Sequence, residues 1–426
     1  MYHPSDELIY EDMRYHRYVI SAVLFLIPII AYPAIKHVPV EYPTIQAAVD
    51  AAGDGDTILI ADGVYSGPGN IDIQWDATQK HLVIMSEHGR EQCKIDCQGE
   101  DRAFLLNNGQ DQRDVIDGLT ITNGFVYGPG GAIFILSTSP RITNCCLENN
   151  TSYCINHNSD YGGGAIAVYD SAAPVIQGNI IRFNSTCANG GGIKYDQNAA
   201  GVLENNIIEG NTSAEGGGGG ISVSLFSNPL IINNLIVNNI SGGGSDGGNG
   251  GGISSSHSDP LIVNNTIAYN RTAGNEYIAG RGGGIAISKW QPFAVLRNCI
   301  IWNNVAGANT MNIEWDLNEW MDITYCNVEE DLGHIFDLKP HTNIDTIPGF
   351  IDPENGDFSL SWKSPCINKG NPDTTGLYLP SYDLAGNQRV FEGRVDIGAY
   401  EYNRPSSLPA ISNHKMPIPF ISLHFF

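Results

Sequence analysis

The segment GGIKYDQNAAGVLENNIIEGN, Gly191 to Asn211, contains both signatures of a repeat that runs through the middle of the chain. It opens with a glycine doublet before Ile193 and closes with a short β-rich run that ends at Asn211. The doublet recurs as GGAI or GGI ending at Ile133, Ile166, Ile221, Ile253 and Ile285. The closing run recurs as ITNCCLENN, IQGNIIRFN, IINNLIVNN, IVNNTIAYN and LRNCIIWNN, ending at Asn150, Asn184, Asn239, Asn270 and Asn304.

This repeat predicts an all-β solenoid. Its isoleucines are 27 to 33 residues apart, and each unit holds two or three short runs split by Gly and Asn. Both residue types tolerate the left-handed backbone of sharp corners. Runs this short cannot bury a face alone, so neighbouring units must stack. We expect nine or ten coils of parallel strands, about 4.8 Å apart, with the equivalent asparagines joined in a hydrogen-bonded ladder.

The flanking segments define the expected boundaries. In YPTIQAAVDAAGDGDTILIADGVY, Tyr42 to Tyr65, Thr44 is a candidate N-cap for a short amphipathic helix that covers the first coil. After residue 330 the repeat dissolves into a stretch rich in Pro and Asp. We therefore predict a leader at 1–34, a β-helix with its N-terminal cap at 35–330, an irregular C-terminal cap at 331–402 and a tail at 403–426.

The amino terminus predicts export. An uncharged run of 14 residues, YVISAVLFLIPIIA, follows Arg14, His16 and Arg17. A basic stretch before an apolar run of this length is typical of a signal peptide, and the run is shorter than the ~20 residues of an easy transmembrane span. Met1 and Met13 are both possible starts. The expected location is secreted or at the cell surface, without a membrane span after cleavage.

The ends of the repeat region resemble a known family. The segment Tyr42 to Tyr65 looks like the start of right-handed parallel β-helix proteins of the pectin-lyase-like superfamily. SPCINKGNPD with DLAGNQRVFEGRVDIGAYEY resembles the C-terminal region of bacterial secreted β-helix proteins with a choice-of-anchor module. Together these resemblances cover roughly residues 38 to 402. They imply a right-handed helix and export, but no activity, because one fold hosts many functions.

A first candidate site is an acidic patch. Aligning Tyr169–Asp170 with Tyr195–Asp196 one coil away would place two carboxylates about 5 Å apart, beside Lys194. Such a pair could bind Ca²⁺ or act as a retaining-glycosidase pair, with Lys194 as a proton acceptor and both tyrosines against carbohydrate. The alternative is a solvated polar face with no further role.

Other candidates are weaker. In MNIEWDLNEWMD, Met311 to Asp322, Trp315 and Trp320 stand among carboxylates, as in sugar sites, or pack against the last coils. Cys154 and Cys187 either form a disulfide across coils or remain unpaired, and the intervening His157 is expected at the surface. No motif of the characterised enzymes of this superfamily is present, so the sequence leaves catalysis open.

The composition of the chain limits the classes of ligand that it can bind. Charged residues make up 16% of the chain and the net charge is -24. This charge disfavours nucleic acid and would repel anionic polysaccharides unless a divalent cation bridged the two. We therefore expect a monomer that binds polysaccharide or a cell-surface glycan along its elongated face. The alternative is a polysaccharide lyase or glycoside hydrolase.

Overall fold

The computed structural model describes residues 33–155, 161–242, 248–273, 280–288, 293–307, 312–315, 320–329, 342–390 and 393–402. Most of the expected leader, all of the tail and His157 lie outside these residues. All of the described residues belong to one compact unit. Within them, no helix has the length and apolar character needed to span a bilayer.

The chain coils through four parallel sheets, numbered in the order in which it visits them after each glycine doublet. Sheet 1 contains Phe104–Leu106, Ile133–Leu136, Ile166–Tyr169, Ile193–Asp196, Ile221–Ser224, Ile253–Ser256, Ile285–Ser288 and Ile313–Trp315. Sheet 2 contains Ile35–Val38, Thr57–Ile60, Val83–Ser86, Val115–Asp117, Arg141–Thr143, Val175–Gln177, Val202–Glu204, Leu230–Ile232, Leu261–Val263, Phe293–Arg297 and Trp320–Thr324. The predicted parallel solenoid is confirmed.

Two shorter sheets complete each coil. Sheet 3 contains Gly63–Ser66, Cys93–Asp96, Thr120–Thr122, Cys146–Glu148, Ile180–Arg182, Ile207–Glu209, Leu235–Val237, Thr266–Ala268, Ile300–Trp302 and Asn327–Val328. Sheet 4 contains Phe125–Val126, Thr151–Ser152, Ser185–Thr186, Thr212–Ser213, Ile240–Ser241, Arg271–Thr272 and Val305–Ala306. In the three-residue strands of sheets 2 and 3 the middle residue points into the core, as at Ile176, Leu203 and Ile231, because side chains alternate along a strand.

Asparagines line the inside of two corners. Between sheets 3 and 4, the backbone N–H and the Nδ2 group of a ladder residue donate to the Oδ1 atom of the equivalent residue one coil later. The members are Asn150, Asn184, Asn211, Asn239, Asn270 and Asn304. Asn304 donates in the same way to Asn312 Oδ1, although Asn312 is not on the next coil and lies directly before the strand Ile313–Trp315. This ladder is the one that the repeat predicts. A second ladder, not predicted, joins Asn179, Asn206, Asn234 and Asn265 between sheets 2 and 3.

The first coil is covered as expected. The α-helix Ile45–Ala51 begins after Thr44, whose Oγ1 atom accepts a hydrogen bond from the Ala47 backbone N–H at 3.2 Å. Ile45 and Val49 are fully buried in the main core. The helix therefore closes the apolar end of the solenoid, as terminal units must.

The C-terminal region does more than cap the last coil. Asn343 Oδ1 accepts a hydrogen bond from the Cys326 N–H at 2.9 Å. This bond places a further asparagine side chain at the corner between sheets 2 and 3. The following part, residues 348–390 and 393–402, is here called the C-terminal strap. It contains the antiparallel strands Phe350–Asp352 and Asp357–Leu360 and the 3₁₀ helix Pro353–Asn355. Phe358 packs against Leu235 and Val237, so the strap covers the outer flank of the solenoid.

Buried polar contacts hold the strap in place. Arg389 Nη1 lies 2.7 Å from Glu401 Oε1, and both side chains are almost fully buried. Asn264 Nδ2 donates to the Asp396 carbonyl at 3.0 Å, and the Gly398 N–H donates to the Asn298 carbonyl at 2.7 Å. The Arg389–Glu401 contact lies within the strap, and the other two bonds attach the strap to the corner between sheets 2 and 3.

Of the two alternatives for the cysteine pair, the structure shows the disulfide. Cys154 and Cys187 are bonded across neighbouring coils, and their Cα atoms are 5.8 Å apart. The other cysteines, all within the described residues, are buried free thiols.

Candidate functional site

The predicted acidic patch has the wrong register. Ile166 pairs with Ile193, so Tyr169 pairs with Asp196, and Asp170 has no carboxylate opposite it. The two Tyr-Asp pairs are offset because Tyr169 is three positions after Ile166, whereas Tyr195 is only two positions after Ile193. A shift of one residue moves a side chain to the other face of a sheet. Asp170 is exposed and accepts a hydrogen bond from Ser137 Oγ at 2.6 Å.

The remaining members of the patch are buried. Lys194 Nζ lies 2.8 Å from Asp196 Oδ2, 3.2 Å from the Tyr161 carbonyl oxygen and 5.3 Å from the centre of the Tyr169 ring. Lys194 is 2% exposed, and Tyr195 points into the core, where its hydroxyl has no hydrogen-bond partner among the described residues. These residues form an internal ion pair and core packing. The structure therefore does not support a shared Ca²⁺ site, a carboxylate pair or exposed tyrosines for carbohydrate.

The tryptophan candidates are described only by their backbone. Trp315 ends a strand of sheet 1, and Trp320 begins a strand of sheet 2. Their side chains lie outside the described part of the structure, so the predicted stacking on sugar stays a prediction.

The outer faces of sheets 2 and 3 change character along the solenoid. In the three-residue strands of sheet 2 the last residue points outward and is polar at Asp117, Thr143, Gln177 and Glu204, then apolar at Ile232 and Val263. Sheet 3 changes in the same way, from Thr122, Glu148, Arg182 and Glu209 to Val237 and Ala268. The strap covers the apolar coils. The polar coils form an open surface, here called the groove.

A shallow cleft of about 410 Å³ lies on the sheet 2 side of the groove, lined by Val83, Met85, Gln112, Val115, Asp117, Arg141, Thr143, Asn144 and Gln177. Asp117 Oδ1 accepts hydrogen bonds from Thr143 Oγ1 at 2.6 Å and Asn144 Nδ2 at 2.8 Å. The Arg141 guanidinium has no hydrogen bond or ion pair to any described residue. It is therefore free to bind a ligand.

A second cleft, of about 310 Å³, lies on the sheet 3 side and brings three cations together. Arg182 Nη2 lies 2.7 Å from Glu148 Oε2, and Lys94 Nζ lies 4.0 Å from Glu148 Oε1. Arg90 Nη1 donates to the Gly178 carbonyl at 2.9 Å. Phe183, which is 47% exposed, lies beside the Arg182 guanidinium and offers an apolar ring at the rim.

Carboxyl groups at the strap end of the groove have raised pKa values. Burial is the main cause for both Glu204 and Glu209, and it outweighs the hydrogen bonds from Gln177 to Glu204 and from Asn238 to Glu209. Burial also raises the pKa of the Cys146 thiol in the second cleft to about 11. This thiol is therefore not a nucleophile at neutral pH.

Only one cluster in the described residues resembles a metal site, namely His81, Asp111 and Asp114. Its ligands are already engaged. Asp114 accepts hydrogen bonds from Trp75 Nε1 and two backbone N–H groups, and its Oδ2 atom lies 2.7 Å from His81 Nδ1. Arg113 holds Asp111 and lowers the pKa of that carboxyl to about 2. The donor set does not fit Ca²⁺, which needs six to eight free oxygen ligands.

The chain is similar to known proteins in sequence pattern and in fold. A family model described as right handed beta helix region matches residues 83–236, 117–274 and 162–314, which together span more than half of the chain. The crystal structure of pectate lyase Pel9A is similar with 14% sequence identity and a TM-score of 0.49, over 88% of this chain and 97% of that one. No curated protein sequence matches. The likeness to choice-of-anchor regions stays a prediction, and the chain belongs to the right-handed β-helix family.

Proposed function

We propose that this chain is an exported protein, secreted or held at the cell surface, that binds a polysaccharide or cell-surface glycan in the groove as a monomer. One observation carries the proposal. The strap covers the solenoid where its outer residues are apolar, at Ile232 and Val237, and leaves the polar coils up to Glu209 open. A face that needed only burial would be apolar throughout.

The groove suits a linear glycan because its polar groups repeat along the axis. Parallel coils present equivalent side chains about every 4.8 Å, and their strands hold these side chains in place before binding. Such preorganisation reduces the entropic cost of association. Arg141 supplies free donors, and Phe183 supplies a ring against which a sugar can pack.

The charge of the protein constrains the ligand. At a net charge of -24, the protein repels an anionic polysaccharide. The three cations of the second cleft lie beside the carboxylates of Glu91 and Glu148 and offset this charge only locally. In this proposal, calcium bridges the acidic surface of the protein and an anionic glycan. We do not propose a calcium ion held by the described residues alone.

A binding screen tests the proposal. Purified protein is offered neutral and uronate polysaccharides with and without calcium, alongside Arg141→Ala and Lys94→Ala. We expect each variant to weaken binding by about three- to tenfold, the range of a single polar contact. Lys363→Ala on the strap, an exposed cation outside the groove, is the matched control. Unchanged affinity in both groove variants, or no binding by the wild type, contradicts the proposal.

The same screen tests the enzyme alternative. Glu148, Arg182 and Glu209 occupy equivalent positions on three successive coils, and the pKa of Glu209 is raised by burial, as a general acid requires. A hydrolase would release new reducing ends, a lyase would release unsaturated ends, and Glu209→Gln would abolish either product. Binding without new ends favours the binding protein.

A further inference from the structure

We propose a second carbohydrate site, separate from the groove, on the outer face of sheet 4. It consists of the rings of Phe125, Tyr127 and Tyr153, here called the aromatic platform, and the row of hydroxyls that follows it. We infer that it binds a neutral, linear polysaccharide through an apolar face of a sugar ring. This site goes beyond the proposed function, because nothing in the groove contributes to it.

The platform is a contact cluster of three rings at the surface. The Phe125 and Tyr153 rings are stacked with centroids 5.8 Å apart, and Tyr127 meets both edge-on, at 5.3 and 5.6 Å. Tyr127 is 62% exposed and Tyr153 is 49% exposed. Large aromatic surface left in water at two adjacent coils is unfavourable unless a ligand covers it.

A row of hydroxyls continues from the platform along the axis. Register places Thr151 opposite Phe125, then Ser185 and Thr212 on the next two coils. Thr151 Oγ1 and Ser185 Oγ are 3.0 Å apart, and each hydroxyl keeps capacity for a further hydrogen bond. A sugar ring on the platform would therefore have its neighbours along the chain within reach of fixed donors and acceptors.

The platform is rigid before any ligand arrives. The Tyr153 N–H donates to the Val126 carbonyl at 2.8 Å, and Ser152 Oγ donates to the Gly128 carbonyl at 2.6 Å. The residue after Tyr153 is Cys154, whose disulfide to Cys187 joins it to the next coil. Because these contacts fix the turn that carries Tyr153, binding would order little further structure.

The surroundings favour a neutral glycan over other occupants. The outward positions of the row carry no charge through Thr212, and the nearest ion pair, Arg102 with Asp101 at 3.6 Å, is internally neutral. An anionic glycan meets no unpaired cation among the described residues of the row and is repelled by a net charge of -24. Three rings are also far smaller than the ~800 Å² per partner of a stable protein interface.

The test compares four proteins by calorimetry with cellohexaose, xylohexaose and hexagalacturonate. They are the wild type, the groove variant Lys94→Ala/Arg141→Ala, the platform variant Tyr127→Ala/Tyr153→Ala, and the combination of all four substitutions. Tyr382→Ala, which removes an exposed tyrosine of the strap, is the matched control. Tyr127→Phe keeps the ring, so it should retain binding even if the alanine variants fold poorly.

We expect the groove variant to bind the neutral hexasaccharides at the platform. The platform substitutions should weaken this binding by about tenfold or more, and the combined variant should not bind these probes. Hexagalacturonate should not distinguish the platform variant from the wild type. If the groove variant and the combined variant bind both neutral probes with equal affinity, the platform is not a carbohydrate site. That result would not contradict glycan binding in the groove. A platform variant whose only change is lost self-association in sedimentation overturns it in favour of a second copy of the chain.

Discussion

Asn211 donates twice to one oxygen of Asn239. Its backbone N–H and its Nδ2 group each lie 3.0 Å from Asn239 Oδ1. Asn211 Nδ2 also donates to the Ile181 carbonyl of the preceding coil, at 2.8 Å. The Asn211 Oδ1 atom accepts a hydrogen bond from the Asn184 N–H at 3.0 Å. One buried amide side chain therefore satisfies two backbone groups of the preceding coil and also bonds the side chain of Asn239 on the next coil.

Asn211→Ala should lower stability by about 1–3 kcal/mol, because it leaves the Asn184 N–H buried without its partner and removes one hydrogen bond from the Ile181 carbonyl. Thermal unfolding followed by circular dichroism measures this loss as a lower melting temperature. Asn108→Ala, at an exposed asparagine outside the ladders, is the control and should melt like the wild type. A wild-type melting temperature for Asn211→Ala would show that the ladder does not stabilise the fold.

Tyr195→Phe should raise the melting temperature. The Tyr195 hydroxyl is buried in the core and bonds no residue in the described part of the chain, and an unsatisfied buried group costs about 1–3 kcal/mol. Tyr65→Phe is the matched control and should lower the melting temperature, because the buried Tyr65 hydroxyl donates to the Ala61 carbonyl at 2.9 Å. If both variants shift the melting temperature in the same direction, the difference in hydrogen bonding does not decide stability here.

Lys194→Met should be strongly destabilising, by about 3–5 kcal/mol, because it leaves Asp196 as a buried carboxylate without its cation. Lys194→Met/Asp196→Asn should recover part of the loss, since no uncompensated charge then remains. Chemical denaturation of the wild type, both single variants and the double variant measures the coupling. Additive losses would show that the two side chains do not interact.

The strap should loosen as the pH rises. Burial raises the pKa of Glu401 from 4.5 to about 8 in the folded chain. The folded state therefore binds a proton that the unfolded state has released, and the stability from this group is full below about pH 4.5 and lost as pH rises to 8. Melting temperatures from pH 4.5 to 8 should fall less steeply in Glu401→Gln than in the wild type. Parallel curves for the two proteins would contradict the raised pKa.

The repeat and its corners could be predicted from the sequence because they depend on local chemistry. The asparagine that ends each repeat, such as Asn239, recurs at the coil period, and that period places it in a ladder. The second ladder at Asn206 carried a similar signal, in the paired asparagines at the centre of several repeats. The change from polar to apolar residues at outward positions, from Glu204 to Ile232, could also be predicted from the sequence, because the middle residue of each three-residue strand faces inward.

The course of the strap depended on contacts between distant residues. The sequence already placed Asp196 opposite Tyr169, because each lies three positions after its repeat isoleucine, Ile193 or Ile166. The predicted patch aligned the two Tyr-Asp pairs instead, and this shift of one residue exchanges the two faces of the sheet. The repeat could not show that Phe358 returns to cover Val237. Burial of a common face stacks the coils, so the sequence pattern determined the solenoid. Where the groove lies open was decided by which apolar coils the strap could reach.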